Sequence, residues 1–261
     1  MEPLNQLVGA VWGEIKSGKS TLALTWDKPL VHLDFDQGFH RAEPNFAHCN
    51  IVKVPRDQPI ESYLVAGADI ITKPYQMPVK WGQTLTGYID LWNVVVNDLR
   101  ATYESPLVKT LCIDTGSVFW NLRTGAQLEK AQQRNPSRTR LQQIEYGEPN
   151  SDMRAMLGAC RTYNKNLITV HHVGGVYEPK LTAQGVEEVR VGDTYAGWTQ
   201  TGALVDVVLR THKMSKNGVK PQIDVEILTC GLTLEAEGVK VPNASFDTLL
   251  CVINSLREPN G

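Results

Sequence analysis

The chain has 261 residues, 42% of them hydrophobic and 21% charged, a composition ordinary for a globular domain with room for a sizeable core. Its 26 basic and 28 acidic residues leave a formal charge of −2, which excludes a protein that coats nucleic acid by bulk charge and confines any such contact to local basic loops. No apolar run approaches the ~18–20 residues of a membrane span, and Met1-Glu2-Pro3 lacks the basic-then-apolar start of a secretion signal. No membrane is expected, and the cytoplasm is the expected compartment. The five cysteines (Cys49, Cys112, Cys160, Cys230, Cys251) are scattered, with no C-x-x-C pair and no histidine at metal-ligand spacing from one. Reduced thiols without disulfide or structural zinc follow from that pattern.

In chain order, Leu7–Trp12 is a short apolar run ending in a glycine-containing turn, and Lys19–Trp26 reads as the helix after it. Leu30–Phe35 is a second strand and Asn50–Val54 a third. Tyr88–Arg100 places Ile89, Trp92, Val96 and Leu99 three and four residues apart, the spacing of an amphipathic helix. Val108–Asp114 is a strand ending on a carboxylate. Ser117–Gln133 has a helical pattern, and Asn150–Asn164 forms a helix with Asn150 or Ser151 as its cap. Leu167–Val173, Val205–Thr211 and Ile223–Thr229 are strands, and Asn243–Leu256 is a closing helix. Nearly continuous apolar strands alternating with helices predict an α/β domain, its mostly parallel sheet covered on both faces, with an antiparallel extension from the late strands. No repeat and no linker divides the chain. Residues 1–261 therefore read as one domain, with surface insertions at Pro55–Thr86 and Arg134–Pro149.

Gly13-Glu14-Ile15-Lys16-Ser17-Gly18-Lys19-Ser20 matches G-x-x-x-x-G-K-[ST] in full, with Thr21 next, between a predicted strand and a predicted helix. In such a loop backbone N–H groups curl around phosphate, Lys19 reaches the β- and γ-phosphates, and the Ser20 hydroxyl ligates Mg²⁺. Asp114, at the end of a buried strand, supplies the carboxylate that the magnesium shell needs; capping the next helix is the competing job for Asp114 or Thr115. ATP and Mg²⁺ are the expected cofactors.

The second strand ends Leu33-Asp34-Phe35-Asp36-Gln37-Gly38-Phe39-His40-Arg41, and Leu167–Val173 carries His171-His172. This order of parts resembles the RecA-like ATPases, and within them the phage single-strand annealing and recombination ATPases. The resemblance covers most of the chain in motif order, although only the phosphate loop is a specific motif. It implies a RecA-like core and ATP hydrolysis. Asp36 falls where the family places a glutamate that activates water, one methylene longer; Asp34 shares its strand face and is the alternative base, and turn-forming acids are the plain alternative. Arg41 or Phe39 falls where relatives stack on adenine. His172, rather than His171, falls at a γ-phosphate sensor; a buried core histidine is the rival reading.

The resemblance also implies single-stranded DNA as a partner, self-association into a ring or filament, and a single-strand DNA-binding protein as a possible associate. The loop after His172, through Gly174-Gly175 to Tyr195, offers Tyr177, Lys180, Arg190 and Tyr195, but also Glu178, Glu187, Glu188 and Asp193. Glu129–Arg140 sets Lys130, Arg134, Arg138 and Arg140 against one acid, so it is the stronger DNA candidate on charge, with a solvated helix end as the alternative. Lys213 and Lys216, in a basic run, fall near the point where RecA filaments reach a neighbour's γ-phosphate. Two rivals remain: a nucleotide-dependent switch ATPase with a protein partner and no DNA, and a small-molecule kinase, for which neither an arginine-bearing lid nor an acceptor pocket is legible.

Overall fold

Period-two alternation in the central strands sorts their side chains onto two faces, and helices cover both. The computed structural model describes residues 4, 6–80, 82–182, 185–214 and 222–257. Its elements run β1 (Val8–Gly13), α1 (Lys19–Ala23), β2 (Leu30–Asp34), α2 (Phe39–Ala42), β3 (Ile51–Lys53) and β4 (Ile70–Pro74). There follow α3 (Tyr88–Glu104), β5 (Thr110–Asp114), α4 (Gly116–Arg134), α5 (Gly147–Thr162) and β6 (Asn166–His171). The last part holds β7 (Val173–Thr182), β8 (Gly185–Tyr195), α6 (Thr201–Leu204), β9 (Val207–Met214), β10 (Gln222–Cys230), β11 (Lys240–Val241) and α7 (Phe246–Arg257).

Among the described residues nine strands form one sheet in the order β11-β10-β9-β1-β6-β5-β2-β4-β3. Every pairing from β9 to β3 is parallel; β10 runs antiparallel to its neighbours. Val11, Leu30, Cys112, Ile168 and Val170 point to the face where Leu22, Trp26, Phe39, Leu249 and Ile253 pack. Val8, Val31, Leu33, Leu111 and Ile113 point to the other, against Trp92, Leu99, Phe119, Leu122 and Leu157. Strands buried on both faces explain the continuous apolar runs in the sequence. Among the described residues no helix is long and apolar enough to cross a membrane.

Several expectations are corrected. The stretch 55–86 is not only a surface insertion: it contains β4, which pairs with both β2 and β3. The lysine and proline in its Ile-Ile-Thr-Lys-Pro sequence hide the strand, and Lys73 is buried by pairing with Asp98 at 2.6 Å. Within 134–149, residues Gln143–Tyr146 form a 3-10 turn that runs into α5, so the helix begins at Gly147 rather than at Asn150. Asn150 accepts a hydrogen bond from Trp198 Nε1 instead (2.8 Å). The region 174–195, read as a loop, is an antiparallel hairpin of β7 and β8 that forms its own two-stranded sheet. Of the late strands, β9 is parallel to β1, and the antiparallel extension starts only at β10.

Candidate nucleotide site

Parallel strands carry their carboxyl ends to the same edge of the sheet, where an α/β fold places its ligand crevice. β1 releases the phosphate loop there, flanked by β6 and β9. β2, β5 and β6 end at the same edge with Asp34, Asp114 and His171. The result is an open cleft of about 510 Å³, lined by Ile15 to Thr21, Asp36, Gly38, Arg41, Ala42, Asp114, Thr115, Val170 and His172.

The loop's shape depends on Gly18, whose φ of 88° is a left-handed conformation and whose added Cβ would lie 2.6 Å from Ile223. Ser17 Oγ bonds Thr211 Oγ1 at 2.6 Å, tying the loop to β9. Lys19 Nζ donates to the carbonyls of Gly13 (3.0 Å) and Glu14 (2.8 Å), so these two residues hold the lysine while Ile15 to Thr21 face the cleft. Burial lowers the Lys19 pKa, and the Asp114, Asp36 and Glu14 carboxylates oppose that shift.

Asp114 is fully buried. Burial disfavours its charge, but the hydrogen bond from His32, the Ser20 hydroxyl and the Lys19 ammonium outweigh it and hold the carboxyl below its usual range. Capping of the following helix falls to Thr115, whose side chain accepts from Val118 N at 3.2 Å, and this leaves Asp114 free for the cleft. Gly116 allows the close approach behind it, since a Cβ there would meet the His171 ring at 2.7 Å.

The acid that ends β2 and the one two residues beyond it divide the labour. Asp34 accepts from Gly38 N (2.9 Å) and Phe39 N (3.1 Å), a turn-anchoring role that uses both its oxygens. Asp36 lines the cleft. Its pKa is raised to about 6 by burial and by the like charges of Asp114 and Asp34, and Arg41, 3.8 Å away, works against the rise. Oδ1 of Asp36 and Oδ1 of Asp114 are both buried without a hydrogen-bond partner among the described residues. Two unpaired carboxylate oxygens, a lysine and the Ser20 hydroxyl around one cleft are the donor set that Mg²⁺ and a triphosphate require.

His171 closes β6 and His172 lies just beyond it, and the two rings face different surroundings. His171 is buried, with Nδ1 against Ala196 O and Nε2 against Thr169 Oγ1, both at 3.0 Å. His172 lines the cleft, where burial and the Lys19 charge lower its pKa against the pull of Asp114.

The DNA candidates lie at the end of α4 (Lys130, Arg134) and in the connection to α5 (Arg138, Arg140). Lys130 pairs with Glu148 at 3.2 Å and Arg138 with Glu145, so acids beyond the counted window neutralise half of the four cations. Glu129 is turned inward, accepting from Gly87 N and Ile89 N. Arg134 and Arg140 are exposed. Lys213 sits on β9 opposite Ile223, and Lys216 lies outside the described residues. The sequence reading missed His32 and Ser117. His32 sits within an apolar strand run, and Ser117 opens a helix; only the tertiary contacts distinguish them.

Residues 5–184, more than half of the chain, match the model of a protein family described as an AAA domain. No curated protein matches. Among solved structures, a KaiC-like protein of the hyperthermophilic archaeon Pyrococcus horikoshii OT3 is similar at 11% identity and a TM-score of 0.45, over 90% of this chain and 84% of that one. The flagellar accessory protein FlaH of Methanocaldococcus jannaschii is similar at 12% identity and a TM-score of 0.43, over 92% of this chain and 85% of that one.

Proposed function

The chain belongs to the AAA-domain family and is a P-loop ATPase, and from that premise we propose that it hydrolyses Mg·ATP while acting on single-stranded DNA in phage-type annealing or recombination. In this reading Lys19 and the backbone N–H groups of the loop grip the phosphates, and Ser20 and Asp114 hold the metal. Bound Mg²⁺ would neutralise charge on the transferring phosphoryl group. Asp36 orients the attacking water and takes its proton, and His172 donates to the γ-phosphate.

The observation that carries the proposal is a short connection between cleft and hairpin. Ser117 Oγ accepts from His172 N (3.0 Å) and donates to Ala196 O (2.9 Å), and Ala196 N donates to His172 O (2.7 Å). A shift of His172 at the phosphate end is thereby felt at both feet of the β7–β8 hairpin, which presents Tyr177, Lys180 and Arg190. A protein partner in place of DNA is favoured by another feature: Val176, Tyr177, Val186, Val189 and Val191 are exposed on the same hairpin, beside four acids.

ATP turnover measured with and without single-stranded DNA across a salt series separates the two. Stimulation that fades with salt supports DNA, because each phosphate contact releases counterions. Unstimulated basal turnover at all salt concentrations moves the hairpin to a protein partner.

A further inference from the structure

Three strands of the sheet bring three buried polar side chains into line behind the nucleotide cleft. Register pairs His32 of β2 with Thr72 of β4 on one side and with Cys112 of β5 on the other, two residues before Asp114. The imidazole is fully buried, and Thr72 is 4% exposed. Nδ1 of His32 lies 3.0 Å from Thr72 Oγ1, and Nε2 lies 3.5 Å from Asp114 Oδ2. Phe39 packs against the ring with centroids 5.5 Å apart. A neutral imidazole has one donor and one acceptor. With the Thr72 hydroxyl donating to Nδ1, the proton sits on Nε2 and is aimed at the carboxylate. That contact engages Oδ2 and leaves Oδ1 buried and unpaired on a residue that lines the cleft.

We propose that His32, held by Thr72, is a positioning residue that fixes the Asp114 carboxylate for the divalent metal of the nucleotide site. This deepens the Mg·ATP reading above and rests on it. Outer partners of a metal-binding carboxylate set its orientation and, when removed, weaken metal binding about ten- to hundredfold. The arrangement also explains why β4, buried in an otherwise irregular stretch, carries a threonine with its hydroxyl turned inward. Its hydroxyl is the far end of a relay that ends at the metal ligand.

The test uses the full chain with ADP and Mn²⁺ as a spectroscopic stand-in, measuring metal affinity by electron paramagnetic resonance and metal-free ADP affinity by calorimetry. Thr72→Val removes only the hydroxyl, and His32→Leu removes the relay. Both are expected to weaken Mn²⁺ binding about tenfold or more while metal-free ADP affinity stays unchanged. His32→Gln, whose amide can donate to Asp114, is expected to recover part of the loss. Should His32→Leu fail to fold, Thr72→Val decides alone. Unchanged Mn²⁺ affinity in Thr72→Val, or an equal loss of metal-free ADP affinity, overturns the proposal. Asp114→Asn separates the two levels: if it too leaves Mn²⁺ affinity intact, the assignment of Asp114 has failed; if it alone loses metal, only the relay has.

Discussion

Asp34 and Asp36 are two residues apart and chemically identical, yet their surroundings give them different work. Asp34 spends both oxygens on backbone N–H groups of the turn, whereas Asp36 keeps a buried, unpaired oxygen in the cleft. Asp36→Asn should therefore retain Mg·ATP binding within a few-fold and lose turnover by about a hundredfold or more. Calorimetry beside a phosphate-release assay checks both halves, and surviving turnover would remove Asp36 from the chemistry. Lys19 is the second single-residue case. Its ammonium rests on two loop carbonyls beside the space a phosphate would fill, so Lys19→Ala should weaken ATP binding by at least about a hundredfold. Tight binding by that variant would refute the loop assignment.

At the scale of elements, the stretch between β3 and α3 depends on one buried ion pair. Lys73 Nζ contacts Asp98 at 2.6 Å and Gln58 O at 2.7 Å, while Asp98 also accepts from Tyr75 Oη (2.7 Å) and Ile60 N (2.9 Å). One carboxylate on α3 thus holds β4 and the turn before it. Asp98→Ala would strand a buried ammonium and two donors, a loss of about 3–5 kcal/mol in urea unfolding. A loss below about 1 kcal/mol would mean that Lys73 escapes to water. None of this shows in the hydrophobic pattern, which scores a lysine as a solvent-facing residue. The same blindness hid the β7–β8 hairpin. Its strands are exposed, so they carry no core-facing alternation to be read.

For the molecule as a whole, the histidine at the end of β6 links stability to pH. Burial pushes the His171 pKa down to about 4, helped by His172 and opposed by the Ala196 carbonyl and Asp114. The unfolded chain binds that proton near pH 6.5 and the folded one does not. Stability from this group is therefore complete above about pH 6.5 and is lost as pH falls toward 4, by roughly 3 kcal/mol at most. Urea midpoints measured across that range should fall for the native chain and fall less steeply for His171→Gln. Equal slopes would show that the imidazole is protonated without penalty.

Local chemistry was legible from the order of residues. The phosphate loop, the strand that ends on Asp114 and the buried strands that flank them depend on contacts within a few residues or on period-two burial, and a linear pattern records both. Alternation implies that only one of His171 and His172 can face the cleft; the choice of His172 comes from the resemblance to a γ-phosphate sensor. Pairings across many residues come from the three-dimensional fold alone. It gave the capping role to Thr115 and the turn to Asp34, paired Lys130 and Arg138 with acids further along the chain, and set Thr72 and His32 in line with Asp114. Those roles depend on which strand lies beside which, and strand order in a parallel sheet is fixed by crossover helices and packing rather than by any neighbour in sequence.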